Sequence, residues 1–510
     1  MKKCIFTSLF FLLGLPLSYT QWEKPCGTIP VKDPWLHTFQ QKIPTIQART
    51  DSIIYIPMSI HNVGKDDATG HLRESAIYQA LCILNEDFYE ANVQFYIKDT
   101  IIYHNRSEWF DHASVVDGAY MMFEANRDSS LNIYIVGNPA GNCGYNLPYA
   151  GIAMNTACMG PEDHTLAHEV GHAFSLPHTF LGWEGDVYDY KNETPRKVTY
   201  DYTYFKDSLI LDTTIIDTAF VEYVERKNCT IAGDGFCDTP PDYLSRRWPC
   251  NTNDNLSIEL QKDPDNVDFR SDGSLIMSYA SDICASRFSP NQITAVRENI
   301  KQQKRYLINY KKPLDKIPTE SVTLESPQEA ESVSIYTPYF TWTAEPNASK
   351  YIFQISRFQD FRFIQLETQT ENPYISDIQG LRNNIKYFWR VKAVNAYDGC
   401  TQFSDVRSFV GTESVGTTNN LSDRKVNIYP TILEEGEKFR IHIENKVGSE
   451  IVRVQLFDLT GVTRYDEKFQ LSGTSDLDEI LVNAPSTPGM YILSIASSQG
   501  NQTIVKIQVF

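Results

Sequence analysis

Positive charge is in short supply in this sequence. There are 46 lysine and arginine residues against 64 aspartate and glutamate residues, so the formal net charge is −18. Nucleic acids and anionic membrane surfaces both attract proteins through basic patches. The imbalance therefore argues against either of them as the main partner.

Long apolar runs are scarce as well. The one uninterrupted apolar stretch, Cys4–Leu17, is too short to span a bilayer comfortably, so we expect no integral membrane span. It follows Lys2 and Lys3, and a basic segment followed by an apolar one is typical of a cleaved export signal. We expect residues 1–20 to be that signal, the alternative being a buried or amphipathic first helix.

The sequence also lacks solenoid repeats and long low-complexity tracts, which argues against an extended repeat architecture. Charged residues make up only 22% of the chain and apolar residues 42%, which excludes a highly charged disordered polymer. At about 150 residues per domain, the 510 residues correspond to roughly three to four domains.

Cysteine is present in a number that export makes informative. The chain has ten cysteines, and an exported protein meets an oxidising environment. Cys4 would leave with the signal, so an odd number remains and at least one cysteine is free or has another role. Four of the others lie between Cys229 and Cys284, which predicts local stapling of loops.

The composition and the hydrophobic pattern change along the chain, and these changes predict the domain boundaries. Residues 21–49 are rich in proline, glutamine and lysine and are predicted to be a pro-segment. Residues 50–312 alternate strand and helix patterns, which predicts an α/β domain whose last helix begins at the capping box Ser289–Gln292. Residues 320–412 and 426–510 contain short alternating strands, which predicts two all-β sandwich domains.

Two histidines are spaced for one metal ion. Thr165 is expected to be the N-cap of a helix. That helix would place His168 and His172 four residues apart on one face, so that both imidazoles can reach the same cation. Glu169 lies next to His168 and can serve as general base to a water molecule. The alternative is a helix with solvated or core histidines.

The residues that follow can complete such a site. Pro177 would stop the helix, and the turn would return His178 as a third nitrogen ligand. Three protein ligands leave a fourth position open for water, which is the arrangement of a catalytic zinc site rather than a structural one.

The spacing HExxHxxxxxH resembles the metzincin zinc proteases, whose full motif is HExxHxxGxxH. Ser175 stands where that motif has glycine. A serine in the left-handed conformation would cost on the order of 1 kcal/mol, which is tolerable. The resemblance implies that His168, His172 and His178 bind zinc and that Glu169 is the general base.

Leu275–Tyr279 resembles the methionine-containing turn of the same proteases. The resemblance implies that Met277 forms an apolar floor beneath the metal. It also implies that Tyr279 hydrogen-bonds the tetrahedral intermediate. For Met277 taken alone, the alternative is an ordinary core methionine.

Two further segments, Gly233–Pro241 and Met277–Cys284, resemble the pappalysin branch of the metzincins, which includes the bacterial cytophagalysins. This resemblance covers roughly residues 50–310. It implies the disulfides Cys229–Cys250 and Cys237–Cys284, which would clamp the loops of the zinc site.

The same branch often binds calcium near the first of these segments. The resemblance implies Asp234, Asp238 and the carbonyl of Thr239 as calcium ligands, since calcium prefers oxygen donors. A turn with solvated aspartates is the alternative.

A disulfide between Cys143 and Cys158 is expected on other grounds. Both cysteines flank a predicted edge strand, Tyr149–Asn155. Such a strand could hold an extended substrate through backbone hydrogen bonds.

Cys26 lies in the predicted pro-segment. A thiolate can fill the open position of zinc and exclude water, and related proenzymes use a cysteine in this way. Cys26 is therefore expected to keep a zymogen inactive, the alternative being a stray or oxidised cysteine. Activation would require a cut before the first strand. The bond before Arg49 is a candidate if the enzyme prefers arginine after the scissile bond.

Some relatives prefer arginine after the scissile bond. If this chain does so too, Asp282 is the expected acidic base of the pocket for that arginine. The alternative for Asp282 is a helix-capping or turn aspartate.

A long insertion, residues 179–228, separates the third histidine from the cysteine cluster. It is rich in aspartate and in the tyrosines Tyr188, Tyr190, Tyr200, Tyr202 and Tyr204. Aromatic residues with few large aliphatic ones suit a contact surface, so the insertion is a lid, an exosite or a decorated loop.

The two C-terminal segments carry resemblances of their own. Residues 320–412 resemble a fibronectin type III module, with Trp342 and Tyr387–Val391 as core residues. Residues 426–510 resemble the sorting domain of the bacterial type IX secretion system. The segments that carry this second resemblance are Val426–Pro430, Val454–Gly461 and Pro488–Leu493. It implies the type IX machinery as a partner and a secreted or cell-surface location.

Together these features predict a secreted zinc endopeptidase made as a zymogen and acting on proteins or peptides. Zinc-activated water, Glu169 as base and Tyr279 as oxyanion donor would supply the chemistry. One alternative is a surface adhesin with an inactive metzincin-like domain, against which Glu169 argues. Another is a zinc hydrolase acting on non-peptide bonds, against which the predicted edge strand argues.

Overall fold

The structure, a computed structural model, describes most of the chain. The described residues are 26–28, 33–42, 52–148, 150–184, 186–206, 209–318, 320–335, 338–376, 378–412, 426–444, 451–471, 477–497 and 502–510, and in 201–215 the backbone alone. The predicted signal peptide and the bond before Arg49 lie outside them. The chain divides into two compact units, one of residues 1–315 with 396–400 and one of residues 316–395 with 401–510.

Helices are few, and all those described belong to the first unit. They are α1 (Pro34–Gln40), α2 (Glu74–Asp87), α3 (Ser107–Phe110), α4 (Val115–Ala125), α5 (Thr165–Ala173) and α6 (Pro290–Gln302). Helix α6 begins at the predicted capping box, with the Ser289 side chain accepting from the Gln292 backbone and the Gln292 side chain accepting from the Ser289 backbone. Among the described residues, no helix is long and apolar enough to cross a membrane.

Within the described residues, the first unit also contains twelve strands. They are β1 (Ile54–Gly64), β2 (Val93–Ile97), β3 (Ile102–Asn105), β4 (Asp111–His112), β5 (Leu131–Val136), β6 (Asn138–Pro139), β7 (Gly144–Leu147), β8 (Gly151–Asn155), β9 (Lys197–Lys206), β10 (Leu209–Phe220), β11 (Gln261–Lys262) and β12 (Asp268–Phe269). The main sheet has the order β2-β1-β5-β8-β7, and β3 pairs with the far end of β1. Strand β1 is buried along its whole length, as expected for a parallel strand covered on both faces.

The strand at the edge of this sheet is not the one predicted from the sequence. Strand β8 covers most of the predicted edge strand Tyr149–Asn155, but it lies inside the sheet, parallel to β5. The edge is β7, which pairs antiparallel with β8. The reason is a short reversal between Leu147 and Gly151, which folds the preceding residues back along β8 and leaves them outermost.

The second unit consists of strands alone in its described residues. They are β13 (Leu324–Ser326), β14 (Glu331–Ser334), β15 (Phe340–Trp342), β16 (Lys350–Ser356), β17 (Ile364–Thr370), β18 (Tyr374–Ile375), β19 (Lys386–Val394), β20 (Arg407–Thr412), β21 (Val426–Tyr429), β22 (Ile432–Leu433), β23 (Lys438–Glu444), β24 (Ile451–Asp458), β25 (Thr463–Gln470), β26 (Leu477–Asn483), β27 (Gly489–Ser497) and β28 (Gln502–Val509). Strands β13–β20 form sheets ordered β13-β15-β18 and β14-β20-β19-β16-β17. Strands β21–β28 form sheets ordered β21-β23-β26 and β22-β28-β27-β24-β25.

Each pair of sheets encloses an apolar core. Trp342 of β15 and Trp389 of β19 come from opposite sheets and are buried in one cluster, in agreement with the core role expected of these aromatics. A separate cluster joins Phe439 of β23 to Leu493 of β27. Each pair of sheets thus has the two-layer arrangement of a β-sandwich.

The disulfide pattern corrects two predicted pairs. Cys229 bonds Cys237 and Cys250 bonds Cys284, in place of the predicted Cys229–Cys250 and Cys237–Cys284. Cys229 and Cys237 are eight positions apart in the chain, and their Cα atoms lie 5.0 Å apart, within the range that a disulfide spans.

Two further disulfides lie in the first unit. Cys143 bonds Cys158, the pair expected from the sequence, and thereby ties the start of β7 to the segment after β8. Cys82 of α2 bonds Cys400, a pair that the sequence analysis did not foresee. Among the described cysteines Cys26 alone is free, and it is buried.

Candidate metal centre

Helix α5 presents two of the predicted ligands. It starts at Thr165, whose backbone N–H donates to the Asp163 side chain at 2.8 Å, and its N-cap residue is His164. Thr165 is thus the first helical residue rather than the cap that the sequence analysis proposed. His168 and His172 lie one turn apart on the face of the helix that looks toward the sheet edge.

The turn after α5 brings in the third histidine. Ser175 has a φ of 70°, the left-handed conformation expected where the metzincin motif has glycine. Its hydroxyl accepts a hydrogen bond from Asn299 Nδ2 at 2.9 Å, which compensates part of the strain. The backbone N–H of Leu176 returns to Gly171 O at 3.0 Å, and the chain then places His178 opposite the helix.

Three imidazole nitrogens converge on one point. Nε2 of His172 lies 3.1 Å from Nε2 of His168 and 3.1 Å from Nε2 of His178. The sulfur of Cys26 lies 3.5 Å from the same His172 nitrogen. These four residues, all predicted as zinc ligands, form a cluster that could hold one metal ion.

Hydrogen bonds at the opposite nitrogens determine the tautomers. Nδ1 of His168 lies 2.7 Å from Ile276 O, and Nδ1 of His172 lies 2.7 Å from Leu176 O. A carbonyl oxygen can only accept, so Nδ1 carries the proton and Nε2 presents a bare lone pair. Burial also lowers the pKa of His168 and of His178 to about 3, and that of His172 well below its ordinary value, so the rings are neutral.

This donor set suits zinc. Zinc–nitrogen bonds of about 2.0–2.1 Å in a tetrahedron put two nitrogens about 3.3 Å apart, and a zinc–sulfur bond of about 2.3 Å puts sulfur about 3.5 Å from each nitrogen. The separations of 3.1 and 3.5 Å among His168, His172, His178 and Cys26 are close to these values. Bare lone pairs at such distances repel one another unless a cation lies between them.

Residues 26–28 of the predicted pro-segment lie along the edge strand. Cys26 forms a parallel bridge with Gly144, and Gly27 N donates to Gly144 O at 2.8 Å. Thr28 N donates to the Cys26 sulfur at 3.2 Å. Burial, followed by the charge of Glu169, raises the pKa of the Cys26 thiol well above its ordinary value, an effect that a bound cation would oppose.

Glu169 is fully buried beside the histidine cluster. Its Oε2 accepts from the hydroxyl of Thr28 at 2.7 Å, and the same hydroxyl accepts from Asn146 N of β7 at 2.7 Å. Its Oε1 has no hydrogen-bond partner among the described residues. Burial raises the pKa of Glu169 to about 7, which suits a group that accepts and returns a proton. Thr28 was not foreseen, although its position two residues after Cys26 puts both side chains on one face of an extended segment.

Met277 and Tyr279, two residues of the predicted Met-turn, contact helix α5 and His178 respectively. Met277 is fully buried, and a Cβ at Gly171 would lie 2.5 Å from its Sδ, so the thioether packs against the backbone of α5. The Tyr279 ring centroid lies 5.0 Å from that of His178, and its hydroxyl donates to Cys26 O at 3.1 Å. The phenol therefore contacts the pro-segment at the mouth of the cluster.

Asp282, the predicted base of a pocket for arginine, lines a small cavity together with His168. Its carboxylate, however, forms an ion pair with Arg247, which lines the same cavity. The side chain that was expected to receive a substrate arginine is thus already paired with an arginine of the chain itself. Arg247 lies 35 residues from Asp282 in the chain, so no local pattern predicts that the two are paired.

Glu184 is a second residue that the sequence analysis missed. Its Oε1 lies 3.2 Å from Nδ1 of His178, and its Oε2 accepts from Gly182 N at 2.6 Å. Burial raises the pKa of Glu184 to about 7 in the metal-free chain, and a nearby divalent cation would favour its ionised form. The sequence feature that could have indicated this contact is the position of Glu184, an acidic residue six positions after His178.

The predicted calcium ligands are engaged within the protein. Asp234 accepts from Phe236 N and from the Thr239 hydroxyl, while Asp238 accepts from Ser289 Oγ and Asn291 N at the start of α6. Asp238 thus caps a helix. The buried Glu222 is a further acid near Asp234, and its pKa is raised to about 9, chiefly by burial and then by the Asp234 charge.

The tyrosine-rich insertion contains the hairpin β9–β10. Tyr188 is partly buried and stands 5.6 Å from Tyr243 between ring centroids, whereas Tyr190 is exposed. Tyr200 is buried, and the side chains of Tyr202 and Tyr204 lie outside what the structure describes. The insertion therefore packs partly onto its own unit.

Comparison with known proteins gives distant matches. No family model matches the chain. Among solved structures, the FN1–FN3 domains of chicken CNTN1 match with a TM-score of 0.18 and 13% identity, over 38% of this chain and 68% of that one. Dimeric latent PorU from Porphyromonas gingivalis matches with a TM-score of 0.16 and 16% identity, over 38% of this chain and 20% of that one. TM-scores this low do not establish a shared fold.

Two fungal proteins, each named extracellular metalloprotease, are similar to part of the sequence. The one from Pyricularia oryzae is 28% identical over 175 residues, which is 30% of this chain and 61% of that protein. The one from Neurospora crassa is 27% identical over 180 residues, which is 31% of this chain and 60% of that protein. The chain thus spans about three fifths of the length of the curated relatives it matches. It is a distant relative of proteins named extracellular metalloproteases.

Proposed function

We propose that the chain is a zinc-dependent endopeptidase made in a latent form. The observation that carries the proposal is the convergence of three neutral imidazoles, His168, His172 and His178, with Glu169 buried beside them. Metal-binding histidines alone would suit a structural site, which has no need of a buried carboxylate next to the ligands. The names of the fungal relatives support the same class of activity.

The residues have distinct roles in the proposed reaction. Held by the three histidines, zinc would supply a Lewis acid that polarises the scissile carbonyl and acidifies a water molecule. Glu169 accepts the proton that this water loses as its oxygen attacks the carbonyl carbon. When the carbon–nitrogen bond breaks, Glu169 returns the proton to the leaving amine. The Tyr279 hydroxyl donates a hydrogen bond to the oxyanion that develops between these steps.

Strand β7 is the proposed holder of the substrate. It is the edge of the main sheet, and residues 26–28 cover part of it by bonding Gly144 O and Asn146 N. Once these residues have left, an extended peptide can pair with the same backbone groups. An endopeptidase needs such a mode, because it must bind chain on both sides of the scissile bond. This requirement favours peptides over other substrates.

Latency follows from what residues 26–28 contact. The Cys26 thiolate would take the zinc position that water needs, and Thr28 holds the Glu169 carboxylate and Asn146 N of the edge strand. Both the metal and the base would be blocked together. Removal of the pro-segment would release both.

We extend the proposal to the rest of the chain on the resemblances given above. The catalytic domain would be of the pappalysin type and would bind calcium near Asp234. Residues 320–412 would be a fibronectin type III module, and residues 426–510 would direct export through the type IX machinery after the signal peptide is removed. We leave out a preference for arginine after the scissile bond, since Asp282 is paired with Arg247.

A cleavage assay tests the proposed function. The activated wild type should cleave casein, and Glu169→Gln should reduce the rate by about 10²–10⁴-fold, the usual contribution of a general base. A chelator should abolish cleavage, and added zinc should restore it. Glu162→Gln, at an exposed glutamate seven positions earlier, is the matched control and should be fully active.

The proposal would be overturned by two results. One is a wild type, shown by mass spectrometry to have lost residues 21–49, that cleaves no protein substrate with zinc and calcium present. The other is cleavage that persists undiminished in the Glu169→Gln chain.

A further inference from the structure

The three histidines of the cluster are not equivalent. Nδ1 of His168 and of His172 each face a neutral backbone carbonyl. Nδ1 of His178 faces the carboxylate of Glu184 at 3.2 Å. In the part of the chain that the structure describes, Glu184 is the only acidic side chain that forms a hydrogen bond or ion pair with one of these rings.

The loop after His178 is built to hold Glu184 in place. Gly182 has a φ of 102°, and a Cβ there would lie 2.6 Å from the Cβ of Ala219, so this position requires glycine. The next residue, Trp183, is buried and stacks on Tyr243 with 5.0 Å between ring centroids. The bend at Gly182 and the anchor at Trp183 turn the following side chain back under the histidine.

Both carboxylate oxygens of Glu184 are used. One faces His178, and the other accepts from Gly182 N at 2.6 Å. The side chain is 13% exposed, so little water competes for either oxygen. A carboxylate fixed at both oxygens has a single orientation, which is the property needed of a group that orients another.

The His178 ring is also confined on its faces. Phe180 stacks on it with 4.6 Å between centroids and 10° between planes, and Tyr279 meets it edge-on at 5.0 Å. These contacts fix the plane of the ring but not which nitrogen carries the proton. The hydrogen bond to Glu184 decides that.

We propose that Glu184 is a positioning residue for the metal, acting through His178; this inference rests on the proposed function. Glu184 accepts the Nδ1 proton, so Nε2 of His178 is left as a ligand lone pair. The negative charge makes that nitrogen a stronger donor and offsets part of the charge of the cation. Such outer partners of metal-binding histidines typically change metal affinity or activity by about 10–100-fold.

A zinc titration tests the inference without measuring catalysis. Zinc affinity of the full chain is determined by competition with a chromogenic chelator, in a Cys26→Ala background so that the thiolate does not contribute. We expect Glu184→Gln to weaken zinc binding by about 10–100-fold. Glu193→Gln, at an exposed glutamate of the same insertion, is the matched control and should bind zinc like its parent.

The results of the zinc titration distinguish a failure of the inference about Glu184 from a failure of the proposed function. A parent chain that binds no zinc would overturn both. A parent chain that binds zinc with an affinity equal to that of the Glu184→Gln chain would overturn the inference alone. Thermal unfolding of the two metal-free chains should give similar midpoints, since a merely structural role would lower the midpoint instead of the zinc affinity.

A second measurement needs no variant at Glu184. In the metal-free wild type at about pH 9, where Glu184 is ionised, the Nδ1–H proton of His178 donates to a carboxylate, and those of His168 and His172 donate to carbonyls. Charge-assisted hydrogen bonds are the stronger class. Nuclear magnetic resonance of the ¹⁵N-histidine-labelled chain should find the His178 proton furthest downfield. Equal shifts for the three rings, or a proton on Nε2 of His178, would overturn the inference.

Discussion

Ser175 stands where the metzincin motif has glycine, and this departure costs little free energy of unfolding. Its backbone is left-handed, with a φ of 70°, which costs a non-glycine residue roughly 1–2 kcal/mol. Its hydroxyl accepts from Asn299 Nδ2, and Asn299 is buried. A glycine would remove the strain but would also leave the buried amide without this acceptor. The two effects are of similar size.

We therefore predict opposite behaviour for two substitutions at this position. Ser175→Ala keeps the strain and loses the hydrogen bond, so it should lower the unfolding free energy by about 1–2 kcal/mol. Ser175→Gly exchanges one effect for the other and should change it by less than about 1 kcal/mol. Urea unfolding of both chains decides the matter, and a Gly variant less stable than the Ala variant would contradict this reasoning.

Arg247 carries a second prediction at the residue scale, because it neutralises Asp282 in the cavity beside His168. Arg247→Ala would leave the carboxylate free for a substrate guanidinium. Hydrogen bonds to charged groups contribute about 1.5–3 kcal/mol, so the kcat/KM ratio for arginine over leucine after the scissile bond should rise about tenfold or more. A peptide library read by mass spectrometry measures the ratio, with the exposed Arg246→Ala as control. An unchanged ratio would mean that Asp282 does not face the substrate.

Glu222 predicts how stability depends on pH. Its pKa is raised to about 9, chiefly by burial, from an ordinary value near 4.5. Between these values the folded chain keeps a proton that the unfolded chain has lost, so its contribution to the unfolding free energy falls as pH rises. The slope is at most about 1.4 kcal/mol per pH unit.

Glu222→Gln should remove that dependence. In calcium-free buffer, the melting temperature of the variant minus that of the wild type should increase from pH 5 to pH 8. Calcium should raise the melting temperature of the wild type at pH 8 and have less effect on the variant, because a bound cation favours the ionised carboxylate. A difference that shrinks with pH would show that Glu222 is not held in its protonated form.

At the scale of elements, the segment of residues 26–28 behaves as a short strand added to β7. It is parallel to β7, since Cys26 bridges Gly144 in that sense. Its two functional side chains are Cys26 and Thr28, which reach the histidines and Glu169 respectively. The backbone pairing holds the segment on the edge, and the side chains determine what it blocks.

We predict that Cys26→Ala weakens latency while residues 21–49 are still attached. Loss of the sulfur ligand should cost the closed form more than the roughly 1.4 kcal/mol that corresponds to a factor of ten. Peptidase activity of the uncut chain should therefore rise at least tenfold, with mass spectrometry confirming that the pro-segment is intact. Activity equal to that of the uncut wild type would assign latency to the backbone pairing alone.

The elements could be predicted where local chemistry decides them. The capping box at Ser289 marked the start of α6, and the spacing of His168 and His172 required a helix there. The edge strand could not be identified, because strand order depends on pairing partners far away in the sequence. The alternation in Gly151–Asn155 is the same whether the strand lies at the edge or inside the sheet.

The same limit applied to the site. His168, His172 and His178 lie within a few residues of one another, so the sequence alone brought them together. Arg247 and Thr28 lie far from their partners Asp282 and Glu169 in the chain and were not linked to them. Spacing is informative only where the residues lie on one element or, like His178, on the turn that follows it.

At the scale of the whole molecule, the number of cysteines predicts that one is free but not how the others pair. An odd number of cysteines after the signal predicted a free one, and Cys26 is free among the described cysteines. Counting could not give the pairs, since four cysteines allow three connectivities. Cys82 and Cys400 are separated by 318 residues, and no local pattern links them.

In the proposed latent form, a metal bound by His168, His172 and His178 has Cys26 as its fourth ligand. X-ray absorption at the zinc edge of the purified uncut chain can measure this ligand set. We expect three nitrogen neighbours at about 2.0–2.1 Å and one sulfur at about 2.3 Å, with the sulfur absent in Cys26→Ala. A chain without zinc, or a zinc site without sulfur in the uncut wild type, would contradict the proposed ligand set.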